Sequence, residues 1–408
     1  MKDMALIEEI QASQEEFTRV RRDIHAHPEL AYRETRTSDL VARLLESWGI
    51  EVHKGLGKTG VVGVLRGNRG SSSRRAIGIR ADMDALPMPE HNRFEHVSTI
   101  EGRMHGCGHD GHTAILLAAA KYLAAHPDFD GVVNFIFQPA EEDGAGAKAM
   151  MADGLFERFP CDEIYGLHNR PAFPVGHFGF RKGVAMASAS EFKVTIRGVG
   201  GHAAMPQKTV DPVIIAAEMI CALQTVVSRH KNPDESVVLS VTQIHAGDAF
   251  NVIPNEAVFG GTVRTFNMQA LDEVQGHMQR IVETLPKMHG GSAEMYFDRG
   301  YPALSNWDAQ TDFAADVAEK VFGKEKVHRD FPRRSGGEDF AYYLQQVPGC
   351  YLFLGNGDGQ HLSYHYEGMG PCEVHNPNYD FNDALLPIGA TYWVCLVEAF
   401  FKRAVSQG

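Results

Sequence analysis

Apolar, strand-like runs at 61–67 (VVGVLRG), 76–84 (AIGIRADMD), 132–138 (VVNFIFQ) and 163–168 (EIYGLH) alternate with helical stretches, notably 111–125 and 144–153. This alternation marks an α/β fold with a mostly parallel sheet sandwiched by helices. It also constrains where chemistry can sit, because ligands of open α/β sheets gather outside the carboxyl ends of the strands. Potential metal ligands stand at such places. Glu142 in QPAEE follows 132–138 and His168 closes 163–168, and they are joined by Cys107 and His109 in MHGCGHDGHT and by His375 in EVHNP. One thiolate, one carboxylate and three imidazoles suit zinc or a neighbouring transition metal, and exceed the four ligands of a closed structural zinc site. The surplus points to two ions, or to one ion beside a reactive centre.

A chain of 408 residues is too long for one ordinary core, so two domains are expected. Helical spacing at 5–20 and 35–48 opens the first, and the pattern changes near residue 185. Strands at 190–198, 236–245, 256–265 and 292–298, with helices at 210–228 and 269–288, predict the order βαββαβ, the ferredoxin-like split motif. After Pro302 the α/β pattern resumes with a helix at 308–322, a strand at 350–354 and a helix at 384–402. The predicted layout is a catalytic domain of 1–186 and 301–408, interrupted by a ferredoxin-like domain of 187–300.

A formal charge of −13 argues against sequence-independent binding to DNA or RNA, which needs clustered Lys and Arg. A small anionic substrate stays open, since a site can be locally positive on an acidic surface. The N-terminus is charged and amphipathic, without the apolar region of a signal peptide. No uninterrupted apolar run approaches the roughly 20 residues that span a bilayer. Six dispersed cysteines are unlike the framework of a small secreted domain. A cytoplasmic protein with no membrane partner is expected, its Cys107 reduced.

Each candidate has a plainer explanation. A lone buried cysteine beside a turn histidine would explain Cys107 and His109, but three histidines, flanking glycines and an Asp within the same run outweigh it. A thiol near a helix N-terminus is also favoured as thiolate. His105 and His112 read as supporting groups. Pro139 stops the strand before Glu141 and Glu142, and two adjacent carboxylates divide their labour: Glu142 ligates while Glu141 accepts a proton from metal-bound water. Acids at a helix start would explain the pair if it stood alone. His168 could be a core histidine and His375 a loop residue; each gains weight from lying where a catalytic edge is expected. Asp84 is expected to orient a ligating imidazole, Asp82 is left undecided, and His25 and His27 support the fold. In the inserted segment, His202, Asn251 and Arg264 are the groups needed to hold an oxyanion and a carboxylate. Glycine-rich turns with polar tips explain Asn251 and Arg264 equally well.

The motifs RRDIHAHPEL, RADMDALP, MHGCGHDGHTA, QPAEE, GLHN, GGHAAMP, FNVIPNEA, GTVRT and GGEDFAYY, in this order, resemble the N-acyl-amino-acid amidohydrolases. These include hippurate hydrolases and plant indole-3-acetyl-amino-acid hydrolases, a branch of the metallopeptidases that also contains aminoacylase and carboxypeptidase G. The resemblance covers nearly the whole chain. It implies two divalent ions bridged by Cys107 and completed by His109, Glu142, His168 and His375. It also implies Glu141 as general base and later proton donor, His202 on the oxyanion, and Asn251 and Arg264 on the substrate carboxylate. The inserted domain would be a lid and dimerisation domain, and the protein a homodimer or higher homo-oligomer. One departure is Gly337, where many relatives carry Ser.

The expected reaction is hydrolysis of a small-molecule N-acyl-L-amino acid to a carboxylic acid and a free amino acid. A dipeptidase or N-acetyl-diaminopimelate deacetylase on the same site is the alternative, and a non-catalytic metal-dependent binding protein a third. The ligand set accepts zinc, manganese, cobalt or nickel. Acyl preference is expected to be set by loops such as 324–336 and 355–372.

Overall fold

The computed structural model describes residues 6–69, 75–361 and 372–403, so most of the 355–372 loop lies outside the described residues. The chain forms two compact units: Met1–Gly183 with Ser305–Pro332 and Tyr342–Gly408, and Val184–Leu304 with Arg333–Ala341. The chain therefore crosses between units twice more than a single boundary near 301 would have it, because Arg333–Ala341 returns to the second unit.

The first unit is built on an eight-stranded sheet. Its order is Glu51–Leu56, Gly60–Arg66, Val132–Gln138, Ala76–Asp82, Glu163–Pro171, Gly349–Gly357, Phe178–Gly179 and Val327–His328. Val132–Gln138, Ala76–Asp82, Glu163–Pro171 and Gly349–Gly357 run parallel in the centre, so their carboxyl ends share one edge. Glu51–Leu56 and Gly60–Arg66 form an antiparallel hairpin joined antiparallel to this centre. Central strands such as Ala76–Asp82 are buried along their whole length, which is why they read as continuous apolar runs. The helix His109–Ala125 is buried on nearly every face, packed against the helices Leu385–Lys402 and Gln14–Ala26 and the strand Ala76–Asp82. By length and composition Leu385–Lys402 and Pro212–His230 could each cross a membrane, yet the first is mostly buried as a core helix.

The second unit has a four-stranded antiparallel sheet ordered Val237–Ala246, Glu256–Thr265, Ala189–Arg197 and Ser292–Tyr301. In chain order these are strands two, three, one and four of the unit, the ferredoxin-like arrangement. Phe192, Val194 and Ile196 alternate inward. They meet Leu271, Val274, Met278 and Val282, spaced three and four apart on the helix Met268–Met288. Asn267 caps that helix through Gln269 N at 2.9 Å, and Asp211 caps Pro212–Thr225 through Val213 N at 2.8 Å. At Gly337 an added Cβ would meet Ala189 Cβ at 2.7 Å, so this backbone has no room for the serine of many relatives.

Candidate functional site

Three neighbouring parallel strands deliver carboxylates and an imidazole to one sheet edge: Asp82 and Asp84 after Ala76–Asp82, Glu141 and Glu142 after Val132–Gln138, and His168 near the end of Glu163–Pro171. His109 is the first residue of the helix His109–Ala125, which begins two residues earlier than its apolar pattern indicates. Gly108 caps that helix at φ 100°, and a Cβ there would lie 2.2 Å from Asn169 Nδ2. Only glycine lets Asn169 reach in and donate to the Cys107 carbonyl at 2.6 Å.

Cys107, His109 and His168 bring ligand atoms within 4.8 Å of one another, and so do Cys107, Glu142 and His375. Two overlapping triads thus share one sulfur. A third grouping joins His109 to Glu141 and Glu142, whose carboxylates each lie 3.9 Å from His109 Nε2. Cys107 Sγ is 3.2 Å from His168 Nε2, and His375 Nε2 is 3.1 Å from Glu142 Oε1.

Hydrogen bonds at the far ring nitrogens decide which nitrogens remain for a metal. His109 Nδ1–H donates to the Asp84 carbonyl at 2.9 Å, with Asp84 Oδ1 at 3.2 Å. His109 Nε2 is buried and makes no hydrogen bond among the described residues. His168 Nδ1–H donates to the Asn169 carbonyl at 2.6 Å, which turns the Nε2 lone pair toward Cys107. His112 is different. Its Nδ1–H donates to Asp82 at 2.6 Å and its Nε2 accepts from Asn169 N at 3.0 Å, so both nitrogens are committed and it cannot ligate. Tyr379 Oη in turn donates to Asn169 Oδ1 at 2.6 Å. Sequence patterns left Asp82 undecided and missed Asn169 altogether; the available signal was His112 one helical turn beyond His109.

The electrostatics call for cations. Burial opposes a charge on His109, yet Asp82, Asp84 and Glu142 hold its pKa up at about 10. Burial, with Glu142 and Glu141 beside it, pushes the Cys107 thiol well above its usual range. Burial also brings His168 down to about 3, which keeps its lone pair available. For Glu142, burial is outweighed by the His375 hydrogen bond and by His109, and the carboxyl stays below its ordinary value. An orphaned buried nitrogen, a neutral imidazole, a thiol and clustered carboxylates make a donor set that fits two divalent ions.

The other expected residues lie in the second unit. His202 is exposed in the strand Gly201–His202, which pairs with Val252–Ile253. Ala204 N–H donates to His202 Nδ1 at 3.1 Å, leaving the proton on Nε2. Asn251 directly precedes the partner strand, and its carbonyl accepts from Ala203 N at 3.0 Å. Arg264 is half-buried, and its buried Nη1 makes no hydrogen bond among the described residues.

The sequence is 39% identical over 399 residues to a hippurate hydrolase of Campylobacter jejuni, spanning 98% of this chain and 100% of that protein. It is 36% identical over 376 residues to an N-acetylcysteine deacetylase of Bacillus subtilis, spanning 92% and 94%. The fold superposes with TM-score 0.80 and 32% identity on a crystal structure of a dinuclear metal-binding M20 peptidase of Bacillus subtilis, covering 97% of this chain and 100% of that one. The model of peptidase family M20/M25/M40 matches residues 78–399, and the chain belongs to that family.

Proposed function

We propose that this enzyme hydrolyses the amide bond of N-acyl-L-amino acids, hippurate-like or N-acetylated, releasing a carboxylic acid and a free amino acid. The observation that carries the assignment is the pair of triads sharing Cys107 Sγ, with the Glu141 carboxylate beside them. Cys107, His109, Glu142, His168 and His375 are the ligands of two divalent ions: zinc, manganese, cobalt or nickel. When bound, the ions polarise the scissile carbonyl and lower the pKa of a water toward ~7. Glu141 would accept a proton on its carboxylate as general base and later hand it to the leaving nitrogen. Asp84 holds the tautomer of His109, and the Asp82–His112–Asn169 chain supports Cys107 and His168. His202, protonated at Nε2, donates to the developing oxyanion, while Arg264 and Asn251 take the substrate carboxylate.

In the same proposal the ferredoxin-like unit is a lid and dimerisation element, and the protein is a homodimer or higher homo-oligomer in the cytoplasm. Its edge strand Val237–Ala246 exposes Val238 and Ile244, and Phe250 and Val252 lie open nearby in the sequence. Rates of metal-reconstituted enzyme on hippurate, N-acetyl amino acids, dipeptides and N-acetyl-diaminopimelate test the substrate class. Highest kcat/KM on a monoacylated amino acid supports it; a preference for dipeptides or for N-acetyl-diaminopimelate replaces it with the alternatives.

A further inference from the structure

The loop from Pro139 to Ala145 that carries Glu141 and Glu142 is held in a conformation its residues do not favour. Ala140 and Ala145 both have φ 54°, in the left-handed region that a Cβ disfavours. The restraint comes from outside the loop. Ala140 N donates to Glu34 Oε1 at 2.9 Å, and the Ala140 carbonyl accepts from Gly146 N at 3.0 Å, so the peptides on both sides of Ala140 are pinned. Glu34 is fully buried; its Oε1 also accepts from Tyr32 N at 3.0 Å and its Oε2 from Thr59 Oγ1 at 2.6 Å. It directly precedes the helix Thr35–Ser47, yet its side chain makes no capping bond, so the carboxylate serves the loop and not the helix. Tyr32, itself at φ 60°, holds the other end of the loop by donating from Oη to the Gly144 carbonyl at 2.5 Å. Its ring packs so closely that a Cβ at Gly144 would meet it at 2.5 Å. On the far side of Glu141, Glu142 N donates to Asp84 Oδ2 at 2.9 Å. The backbone on either side of Glu141 is therefore gripped by two carboxylates, Glu34 at residue 140 and Asp84 at residue 142.

Resting on the assignment of Glu141 as the base, we propose that Glu34, assisted by Tyr32, is a positioning residue that enforces the left-handed Ala140 and so sets the direction in which Glu141 leaves the loop. Among the described residues the Glu34 carboxyl bonds to Tyr32, Thr59 and Ala140 and to none of the candidate ligands; it acts through the main chain. Small displacements of a reacting group are costly, on the order of 10²-fold in rate for about 1 Å.

The test uses the metal-loaded full chain. E34A is expected to lower kcat on the order of 10-fold to 10²-fold, with KM within about two-fold and metal content unchanged. E34Q keeps the oxygen that accepts from Ala140 and Tyr32, and the Thr59 hydroxyl can turn to accept from the new amide; it is expected to restore kcat to within about three-fold of the parent. Should E34A fail to fold, E34D, one methylene too short to reach both Ala140 and Thr59, reads out the same split. Parental kcat in E34A or E34D, a loss of metal in step with activity, or E34Q as slow as E34A would each overturn the role. E141Q run in parallel separates the two assignments. Parental activity there sinks the base itself, whereas an inactive E141Q beside a parental E34A sinks the positioning role alone.

Discussion

At the scale of single residues, the centre is organised by what each donor atom has left to give. His109 and His168 each spend one ring nitrogen on a carbonyl and keep the other for the site, while His112 spends both. Cys107 supplies the one atom common to both triads. Replacing Cys107 by Ala is therefore expected to remove at least one of two bound ions per chain, as counted by elemental analysis, and full occupancy in the variant would contradict ligation. The five candidate donors were legible as residue types, Glu142 and His168 by their place at strand ends. The Asp82–His112–Asn169 chain was not, because it joins three segments far apart in sequence and depends on which nitrogen carries a proton. Arg264, whose buried Nη1 has no partner among the described residues, was visible as a charge in GGTVRT but not as an unsatisfied one.

At the scale of elements, a buried charge network joins the helix Gln14–Ala26 to the segment beyond His375 and to the start of the helix His109–Ala125. Arg21 Nη1 and Nε lie 2.7 Å from Asp380 and Asp383, and Nη1 lies 3.5 Å from Asp110. His25 bridges Asp110 at 2.8 Å and Glu90 at 3.1 Å. Replacing Arg21 by Met takes the guanidinium shared by Asp110, Asp380 and Asp383 out of a buried network and is expected to cost about 3–5 kcal/mol in denaturant unfolding. Burial works against ionised Asp380, but Arg21 and His96 outweigh it and hold its pKa at about 2. Burial likewise opposes the charge on His25, which Asp110 and Glu90 raise to about 10. The Asp380 contribution is present above the unfolded carboxylate value of ~4 and is lost as pH falls from there to about 2. The His25 contribution is present below its unfolded value of ~6.5 and fades as pH rises from there toward about 10. Thermal stability should thus be flat between about pH 4 and 6.5 and decline on both sides. A midpoint that keeps rising through pH 9 would contradict the His25 part. The sequence pattern ended its first helix at residue 20, short of Arg21 and His25 on the observed Gln14–Ala26, and gave no sign of the partners of Arg21, some 360 residues away. The strand Glu51–Leu56 was likewise hidden, since only Leu56 along it is buried.

At the scale of the whole molecule, the legible features were those with a period: parallel strands buried on both faces, and the alternating strands and three-four spaced helices of the ferredoxin-like unit. The return of Arg333–Ala341 to the second unit was not legible, because a nine-residue segment without regular spacing carries no address. Bound metal would couple to the fold at this scale, since the candidate donors come from residues 107 to 375 of one chain. Chelation should lower the melting temperature and metal should restore it, with about 2.7 kcal/mol of stabilisation when free metal is 100 times its Kd. A melting temperature indifferent to chelator would speak against ions tying these segments together. Sedimentation equilibrium should show a homodimer or larger, and a monomer at all concentrations would remove the second unit's role in assembly.

The most direct measurement is turnover of an N-acyl amino acid by Glu141→Gln enzyme whose metal content has been counted. The account predicts two ions per chain, as in the parent, with kcat lower by at least ~10²-fold, the scale of a lost general base. Parental turnover at full occupancy would contradict it.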